Sequence, residues 1–183
     1  GFQTALETVV ECVDKLRDTS NSHHRCSIVE VMGNRCGDLA LWSGIACGAE
    51  IVVTSDTGFD EQDVLDRLRD IDIIKKKKHA IVVISEKITD VDQFAKKVSL
   101  NTGFSGRATV LGHIQRGGSP TCHDRVLASR LGIAAVEGLL DGKTNLMAGI
   151  RSSKIVFTPI DEAIKKHNEI DEELIKVANI LAI

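Results

Sequence analysis

Aromatic residues and prolines are scarce in this sequence. Only 3% of the 183 residues are aromatic, tyrosine is absent, and there are two prolines. Proteins that hold single-stranded nucleic acid stack its bases on aromatic side chains, so the composition argues against that class. Basic residues are not in excess either, because 23 lysines and arginines stand against 26 acidic residues and the formal net charge is −3. We therefore expect no nucleic-acid partner.

The sequence also lacks long hydrophobic runs and paired cysteines. No apolar run approaches the roughly 18 residues of a membrane span, and no secretory signal is visible. We therefore expect no membrane partner. The five cysteines form an odd set without CxxC spacing, which disfavours a disulfide framework or a zinc site. The sequence instead predicts buried thiols in a cytoplasmic protein.

Hydrophobic periodicity alternates between helical and strand patterns along the chain. Thr4 and Glu7 form a T-x-x-E capping box for a helix that ends near Arg17, and a polar loop is expected at 18–24. The other predicted helices are 37–47, one capped by Asp60 or Asp63, 90–103, 121–140, 159–167 and 171–181. The predicted strands are 26–32, 49–54, 79–85, 107–112, 146–150 and 154–158. The pattern predicts a three-layer α/β fold, a mainly parallel sheet flanked by helices, with Trp42 in the core.

Polar residues follow three of the predicted strands at their carboxyl ends, where open α/β sheets bind ligands. Met32–Asp38 follows the first strand, Glu86 follows the third, and His113–Pro120 follows the fourth. His113 and Arg116 have the chemistry to bind a phosphate, in a loop whose glycines allow close approach. Two alternatives stay open: the loop is only a glycine-rich turn, or Glu86 caps a helix and does not accept from sugar hydroxyls.

Cations also gather at the opposite, amino edge of the predicted sheet. Arg25 and Arg107 directly precede strands, so they contribute to the strand-end site only if a neighbouring subunit supplies them. Otherwise they are surface charges. The run Lys75–His79 precedes the third strand. It is either a second anion site or a solvated helix end whose cations complement the helix dipole.

Four stretches of the sequence closely resemble one enzyme family. They are Glu30-Val-Met-Gly33, Cys36-Gly-Asp38, His79-Ala-Ile-Val82 and Arg107-Ala-Thr-Val-Leu-Gly-His-Ile-Gln-Arg-Gly-Gly-Ser-Pro120. The family is ATP-dependent 6-phosphofructokinase of the bacterial allosteric type, and the resemblance covers essentially the whole chain. It implies a phosphofructokinase-like fold and transfer of the ATP γ-phosphate to O1 of fructose 6-phosphate in glycolysis. It also implies ATP and Mg²⁺ as cofactors, and a homotetramer in the cytoplasm.

The resemblance implies a set of substrate-binding residues. These are Arg25, Met32, Gly33, Asn34, Glu86, Arg107, His113 and Arg116. In that set, the backbone of Met32 and Gly33 holds the sugar phosphate, and Glu86 binds the fructose hydroxyls. His113 and Arg116 bind the 6-phosphate. The two arginines that precede strands serve the site of a neighbouring subunit.

The resemblance also implies an effector site for a nucleotide diphosphate such as ADP, or for phosphoenolpyruvate. Its residues are Arg17, Gly48, Glu50, Lys75, Lys77, Lys78 and His79. Among them, Gly48 and Glu50 are expected to contact the magnesium ion of the effector.

Two departures from the family pattern bear on activity. Asn34 stands where the family has an arginine that reaches the transferring phosphoryl group, and asparagine supplies no charge. Arg35 follows it. The matched stretch is the second half of the family's chain, and neither the glycine-rich nucleotide loop nor the Thr-x-Asp-x-Asp segment with the catalytic base has an equivalent here. We therefore expect no catalytic residue in this chain, little activity for it alone, and a longer parent that holds most of the ATP site.

The family's domain division predicts three parts. Residues 1–115 form the sugar-phosphate and effector-binding domain, and 169–183 form a helix that returns to it. Residues 116–168 are expected to pack on the absent ATP-binding domain and so to expose apolar side chains. Two other functions stay open: a non-catalytic regulatory or sugar-phosphate-binding subunit, which Asn34 favours, and a pyrophosphate-dependent phosphofructokinase.

Overall fold

A computed structural model describes residues 1–20, 24–165 and 171–181. Its α-helices are α1 (Phe2–Ser20), α2 (Asp38–Ala46), α3 (Glu61–Ile73), α4 (Val91–Asn101), α5 (Cys122–Leu140), α6 (Ile160–Lys165) and α7 (Glu172–Leu181). A 3₁₀ helix spans Gly112–Arg116. The strands are β1 (Arg25–Val31), β2 (Ile51–Val53), β3 (His79–Ser85), β4 (Ser105–Val110), β5 (Leu146–Arg151) and β6 (Lys154–Pro159).

The chain divides into two compact units, with the main boundary after Gly118. The sheet unit contains the elements from α1 to the 3₁₀ helix, together with α7. The hairpin unit contains α5, β5, β6 and α6. The predicted boundary at residue 116 lies close to this division, and the predicted partner of the second segment stays a prediction.

The sheet unit is built on a parallel four-stranded sheet with the strand order β2-β3-β1-β4. Val31 pairs with Ser85, so the residues that follow β1 and β3 emerge at one edge of the sheet. Arg25 pairs with His79 at the other edge. The predicted mainly parallel sheet is confirmed, and the only strands of the described chain outside it form the antiparallel β5–β6 hairpin.

Helices cover both faces of the sheet, which confirms the three-layer prediction. One face packs against α3 and α4 through a buried cluster that includes Leu68 and Phe94. The other packs against α1 and α2 through a cluster that includes Val9, Val13 and Ala40. Full burial of such an apolar side chain contributes about 1.5–3 kcal/mol, so these two clusters hold the layers together.

Side-chain caps begin the helices that follow β2 and β3. The Asp60 carboxylate accepts from the backbone N–H groups of Gln62 and Asp63, which decides between the two predicted caps of α3. Asp90 accepts from the N–H of Gln93 at the start of α4. Each cap satisfies backbone donors that have no partner within the helix.

Several predictions about the first half of the chain are wrong. The first helix begins at Phe2, so Thr4 lies inside it and is not an N-cap. The helix continues to Ser20, which shortens the predicted polar loop, and residues 21–23 lie outside the described chain. Trp42 is 43% exposed because α2 buries the opposite face; its ring meets that of Phe2 edge-on at 6.3 Å. Arg107 lies within β4, not before it.

The prediction that the cysteine thiols are buried is correct for only some of the five cysteines. Cys26 and Cys47 are buried, Cys12 and Cys36 are half-buried, and Cys122 is exposed. Burial raises the pKa of Cys47 to about 11, so its thiol stays protonated near neutral pH.

The hairpin unit exposes most of its apolar side chains. Val126, Ile133, Val136, Leu139 and Leu140 of α5 are all more than half exposed. Among the described residues of this unit, only Asp124 and Gly138 are buried. Such a surface is typical of a segment that packs against other protein. Along the described chain, no helix combines the length and apolarity needed to cross a membrane.

Candidate phosphate-binding site

A tight turn follows β1 at the carboxyl edge of the sheet. The N–H of Cys36 donates to the carbonyl of Gly33 at 2.9 Å, which closes the turn. A Cβ atom on Gly33 would lie 2.3 Å from the carbonyl oxygen of Cys36, so the turn requires glycine here. The next residue, Asn34, has a φ of 54°, a left-handed conformation that asparagine tolerates better than most residues.

The Glu86 carboxylate holds this turn from the neighbouring strand end. Its Oε1 accepts from the backbone N–H groups of Gly33 at 3.0 Å and Asn34 at 2.7 Å. These two hydrogen bonds lower the pKa of Glu86, and the nearby charges of Lys87 and Arg116 lower it further. Since Asp90 caps α4, the alternative in which Glu86 is only a helix cap is wrong.

Gln115 supports the same turn from the 3₁₀ helix, and sequence analysis missed it. Its side chain is 1% exposed. Its Oε1 accepts from the N–H of Met32 at 3.2 Å, and its Nε2 donates to the carbonyl of Gly112 at 2.9 Å. The available signal in the sequence was the position of Gln115, an uncharged amide between the candidate phosphate ligands His113 and Arg116. A buried amide needs both a donor and an acceptor, so such a residue is expected to hold neighbouring groups in place.

The turn, Glu86 and Arg116 surround one cavity of about 360 Å³. Its other walls come from α1 and the start of α2. The backbone N–H groups of Met32, Gly33 and Asn34 already donate to Gln115 and Glu86. The cation on the cavity wall is Arg116, whose guanidinium can pair with a phosphate through two parallel hydrogen bonds. His113 is exposed on the same 3₁₀ helix but does not line the cavity.

The two predicted interface arginines lie away from this cavity. Arg25 begins β1 at the amino edge, and Arg107 is exposed on the edge strand β4, where it lines a groove against α4. Within this chain they therefore contribute nothing to the cavity at the carboxyl edge.

The structure brings four of the predicted effector residues together at the amino edge. The Arg17 guanidinium donates to the carbonyl of Cys47, which precedes Gly48. Glu50 is 7% exposed. Its Oε1 lies 3.3 Å from Nζ of Lys77, and its Oε2 accepts from the N–H of Ile81 at 2.7 Å. Because Glu50 is buried and both of its oxygens contact protein groups, this arrangement does not fit a direct magnesium ligand.

The remaining predicted effector residues lie beside this group. Lys75 and Lys78 are exposed, and His79 begins β3 and is half-buried. The N–H of Lys75 donates to the carbonyl of Asp70, so the lysine run also terminates α3. Both interpretations of the run therefore have a structural basis, since a helix end and a cluster of cations occupy the same segment.

An open parallel α/β sheet with a ligand-sized cavity at its carboxyl edge, lined by Arg116, Glu86 and Asp38, is typical of α/β proteins that bind small ligands. The chain belongs to the phosphofructokinase family, whose model, described as Phosphofructokinase, matches residues 1–139.

Relatives and solved structures agree with this assignment. The chain is 48% identical to the ATP-dependent 6-phosphofructokinase of Listeria welshimeri over 183 residues, all of the chain and 57% of that relative. It is 49% identical to ATP-dependent 6-phosphofructokinase 1 of Clostridium perfringens, over 99% of the chain and 56% of that relative. The structure of phosphofructokinase from Saccharomyces cerevisiae matches with a TM-score of 0.77 and 32% identity, over 88% of this chain and 23% of that one. The chain thus spans little more than half the length of the curated relatives it matches.

Proposed function

We propose that this chain is the sugar-phosphate-binding part of a 6-phosphofructokinase, a transferase of glycolysis. In that reaction the γ-phosphoryl group of ATP passes to O1 of fructose 6-phosphate. The cavity at the carboxyl edge carries the proposal, because it brings a fixed turn, the carboxylates of Glu86 and Asp38, and the guanidinium of Arg116 into one space. The ATP-dependent names of the relatives support the donor, so pyrophosphate dependence is not proposed.

The chain's own residues have distinct roles in this proposal. Arg116 binds the 6-phosphate, with His113 as a second donor from the same helix. Glu86 stays ionised at neutral pH, and its two oxygens offer about four acceptor directions, of which two are filled by the turn. The others are available for sugar hydroxyls. Gln115 positions the turn through its hydrogen bond with the N–H of Met32.

The proposal places the nucleotide site mostly outside these residues. ATP would supply the phosphoryl group and Mg²⁺ would neutralise its charge, whereas the base that accepts the O1 proton would be a side chain of the nucleotide-binding part of the enzyme. The exposed apolar side chains of α5 support packing of 116–168 on a nucleotide-binding domain. The grouping of α7 with the sheet unit supports the return of 169–183 to the first domain.

Assembly and regulation belong to the same proposal. Arg25 begins β1 and Arg107 is exposed on the edge strand β4, both away from the cavity, which supports their service to a neighbouring subunit and hence a homotetramer. The cluster of Arg17, Glu50 and Lys77 supports an allosteric site for ADP or phosphoenolpyruvate. A cytoplasmic location accords with the half-buried and buried thiols.

Asn34 favours a second candidate function, a non-catalytic sugar-phosphate-binding subunit. Its amide is neutral and lies on the cavity wall, where a phosphoryl-transfer enzyme gains from positive charge. Ligand binding is common to both candidates, and measured turnover by the parent enzyme separates them.

Calorimetric titration of the chain with fructose 6-phosphate tests the proposal. We expect Arg116→Ala to weaken binding by roughly 2–5 kcal/mol, as for a charged partner lost from a desolvated pair. Arg67→Ala, which removes an arginine of α3 outside this cavity, is the matched control and should leave binding unchanged. Equal affinity for the wild type and Arg116→Ala contradicts the proposed site.

A further inference from the structure

A second cavity adjoins the first at the carboxyl edge of the sheet. It measures about 590 Å³ and lies towards the end of β2, with Thr54, Arg35 and Lys87 on its walls. Asn34 and Glu86 line both cavities. These two side chains therefore form a wall shared by the two cavities. A ligand that extended from one cavity into the other would have Arg116 at one end and Arg35 and Lys87 at the other.

The charges of the second cavity favour an anion. Arg35 and Lys87 are both exposed along it. Among the described residues, the only carboxylate on its walls is that of Glu86, whose Oε1 already accepts from two N–H groups of the turn. The nearby Asp56 carboxylate accepts from the N–H of Gly37 and does not line the cavity.

Lys87 is held in a defined position beside the shared wall. Its Nζ donates to Oδ1 of Asn34 at 2.8 Å. Because the amide is neutral, this bond fixes the ammonium group without neutralising its charge. Both residues also have left-handed backbone conformations, with φ of 54° for Asn34 and 66° for Lys87. Such strained positions persist where surrounding contacts over-determine them, and they cluster at ligand sites.

We propose that Lys87, supported by Arg35, binds the second phosphoryl group of a sugar bisphosphate. Lys87 is then a specificity-determining residue that makes this chain prefer fructose 1,6-bisphosphate, the product of the proposed reaction, over fructose 6-phosphate. The inference rests on the proposed function, since it requires the 6-phosphate to lie at Arg116. A lysine suits this role because its ammonium is a compact point charge that donates charge-assisted hydrogen bonds to phosphate oxygens.

Separate calorimetric titrations with the monophosphate and the bisphosphate test the inference. We expect Lys87→Met to weaken bisphosphate binding by about tenfold or more and to change monophosphate binding less than about twofold. Lys87→Arg should restore most of the loss. Lys87→Gly removes the same charge at a backbone conformation that glycine adopts freely, so it remains informative if the methionine variant folds poorly. Lys15→Met, which removes an exposed lysine of α1, is the matched control.

The outcomes separate this inference from the proposed function. Bisphosphate preference that depends on Lys87 and is restored by arginine supports it. Intact fructose 6-phosphate binding with no preference for the bisphosphate, or equal losses for both ligands in Lys87→Met, overturns the inference alone. Failure of the wild type to bind either sugar overturns the proposed function and the inference together.

Discussion

The two edges of the parallel sheet carry similar groups in different surroundings. At the carboxyl edge, the half-exposed Glu86 accepts from two backbone N–H groups of the turn after β1. At the amino edge, the buried Glu50 accepts from the N–H of Ile81 and pairs with Lys77. Each carboxylate orders nearby backbone, and each has cations beside it.

Burial decides what each carboxylate contributes. A buried charge must be fully paired, and removal of its partner is costly because the desolvated group that remains has no compensation. Glu50 is therefore expected to act mainly on stability. Glu86 keeps access to solvent and to a cavity, so its protonation and its spare acceptor directions remain available to a ligand. Glu86 therefore suits the ligand-binding role proposed for the carboxyl edge, whereas Glu50 is part of the packed structure at the amino edge.

The largest expected change in stability comes from replacing one glycine at each edge of the sheet by alanine. Gly33→Ala should lower the free energy of unfolding by as much as about 3 kcal/mol, because the new Cβ meets the carbonyl of Cys36 and the turn must shift. Gly48→Ala has open space, and its φ of +59° predicts a smaller cost of about 1–2 kcal/mol. Urea unfolding of both variants makes the measurement, and equal costs would contradict the steric explanation.

The next effect compares the two carboxylates directly. Glu50→Ala should destabilise the fold by about 1–3 kcal/mol, since it leaves the N–H of Ile81 without its acceptor. Glu86→Ala should cost about 1 kcal/mol or less, because water can replace the lost hydrogen bonds of an exposed turn. Thermal unfolding of the two variants, with Glu50→Gln as an intermediate control, checks the order. A larger cost for Glu86→Ala would reverse the comparison.

A third prediction asks whether the amino edge also binds anions. The double variant Lys75→Ala/Lys77→Ala should weaken ADP or phosphoenolpyruvate binding by about tenfold, as expected for lost hydrogen bonds to charged groups. Fructose 6-phosphate binding should persist. Lys76→Ala is the matched control, because it removes a neighbouring lysine outside the proposed set. If this control loses as much affinity, the run acts only as a diffuse positive charge.

The smallest effect concerns pH. The pKa of Glu86 lies below its usual value of 4.5, because the folded turn stabilises the ionised carboxylate. Its contribution to stability is complete above about pH 4.5 and is lost as the pH falls through the lowered pKa of the folded state. The denaturation midpoint of the wild type should therefore fall more than that of Glu86→Gln between pH 6 and about pH 3. Parallel curves for the two proteins would show that the turn gains nothing from the charge.

Local patterns in the sequence were sufficient to predict most of the elements. The apolar run 79–85 is β3 at both ends, because it is buried on both faces and bounded by polar residues. The apolar positions of α3, including Leu65 and Leu68, are buried as their helical spacing predicts. Trp42 was misassigned, since a lone aromatic residue on a short apolar helix carries no signal of which side faces the sheet.

The candidate site was predictable in its members but not in its contacts. Glu86 and Arg116 were expected near each other because parallel strands end at one edge of a sheet. The hydrogen bond between Met32 and Gln115 joins residues 83 positions apart in the chain, and the bond between Lys87 and Asn34 joins residues 53 positions apart. Periodicity and spacing report only on neighbours along the chain, so such long-range pairs leave no local trace.

The alternation of helices and strands, and with it the parallel sheet, could be predicted from local propensity and the spacing of apolar residues alone. The pairing of polar groups became visible only in the folded chain. The tertiary structure placed Glu50 inside and Glu86 at a cavity, and it joined two cavities across Asn34. The physical reason is that burial and distance set the strength of a charge or a hydrogen bond, and both arise only when distant segments pack together.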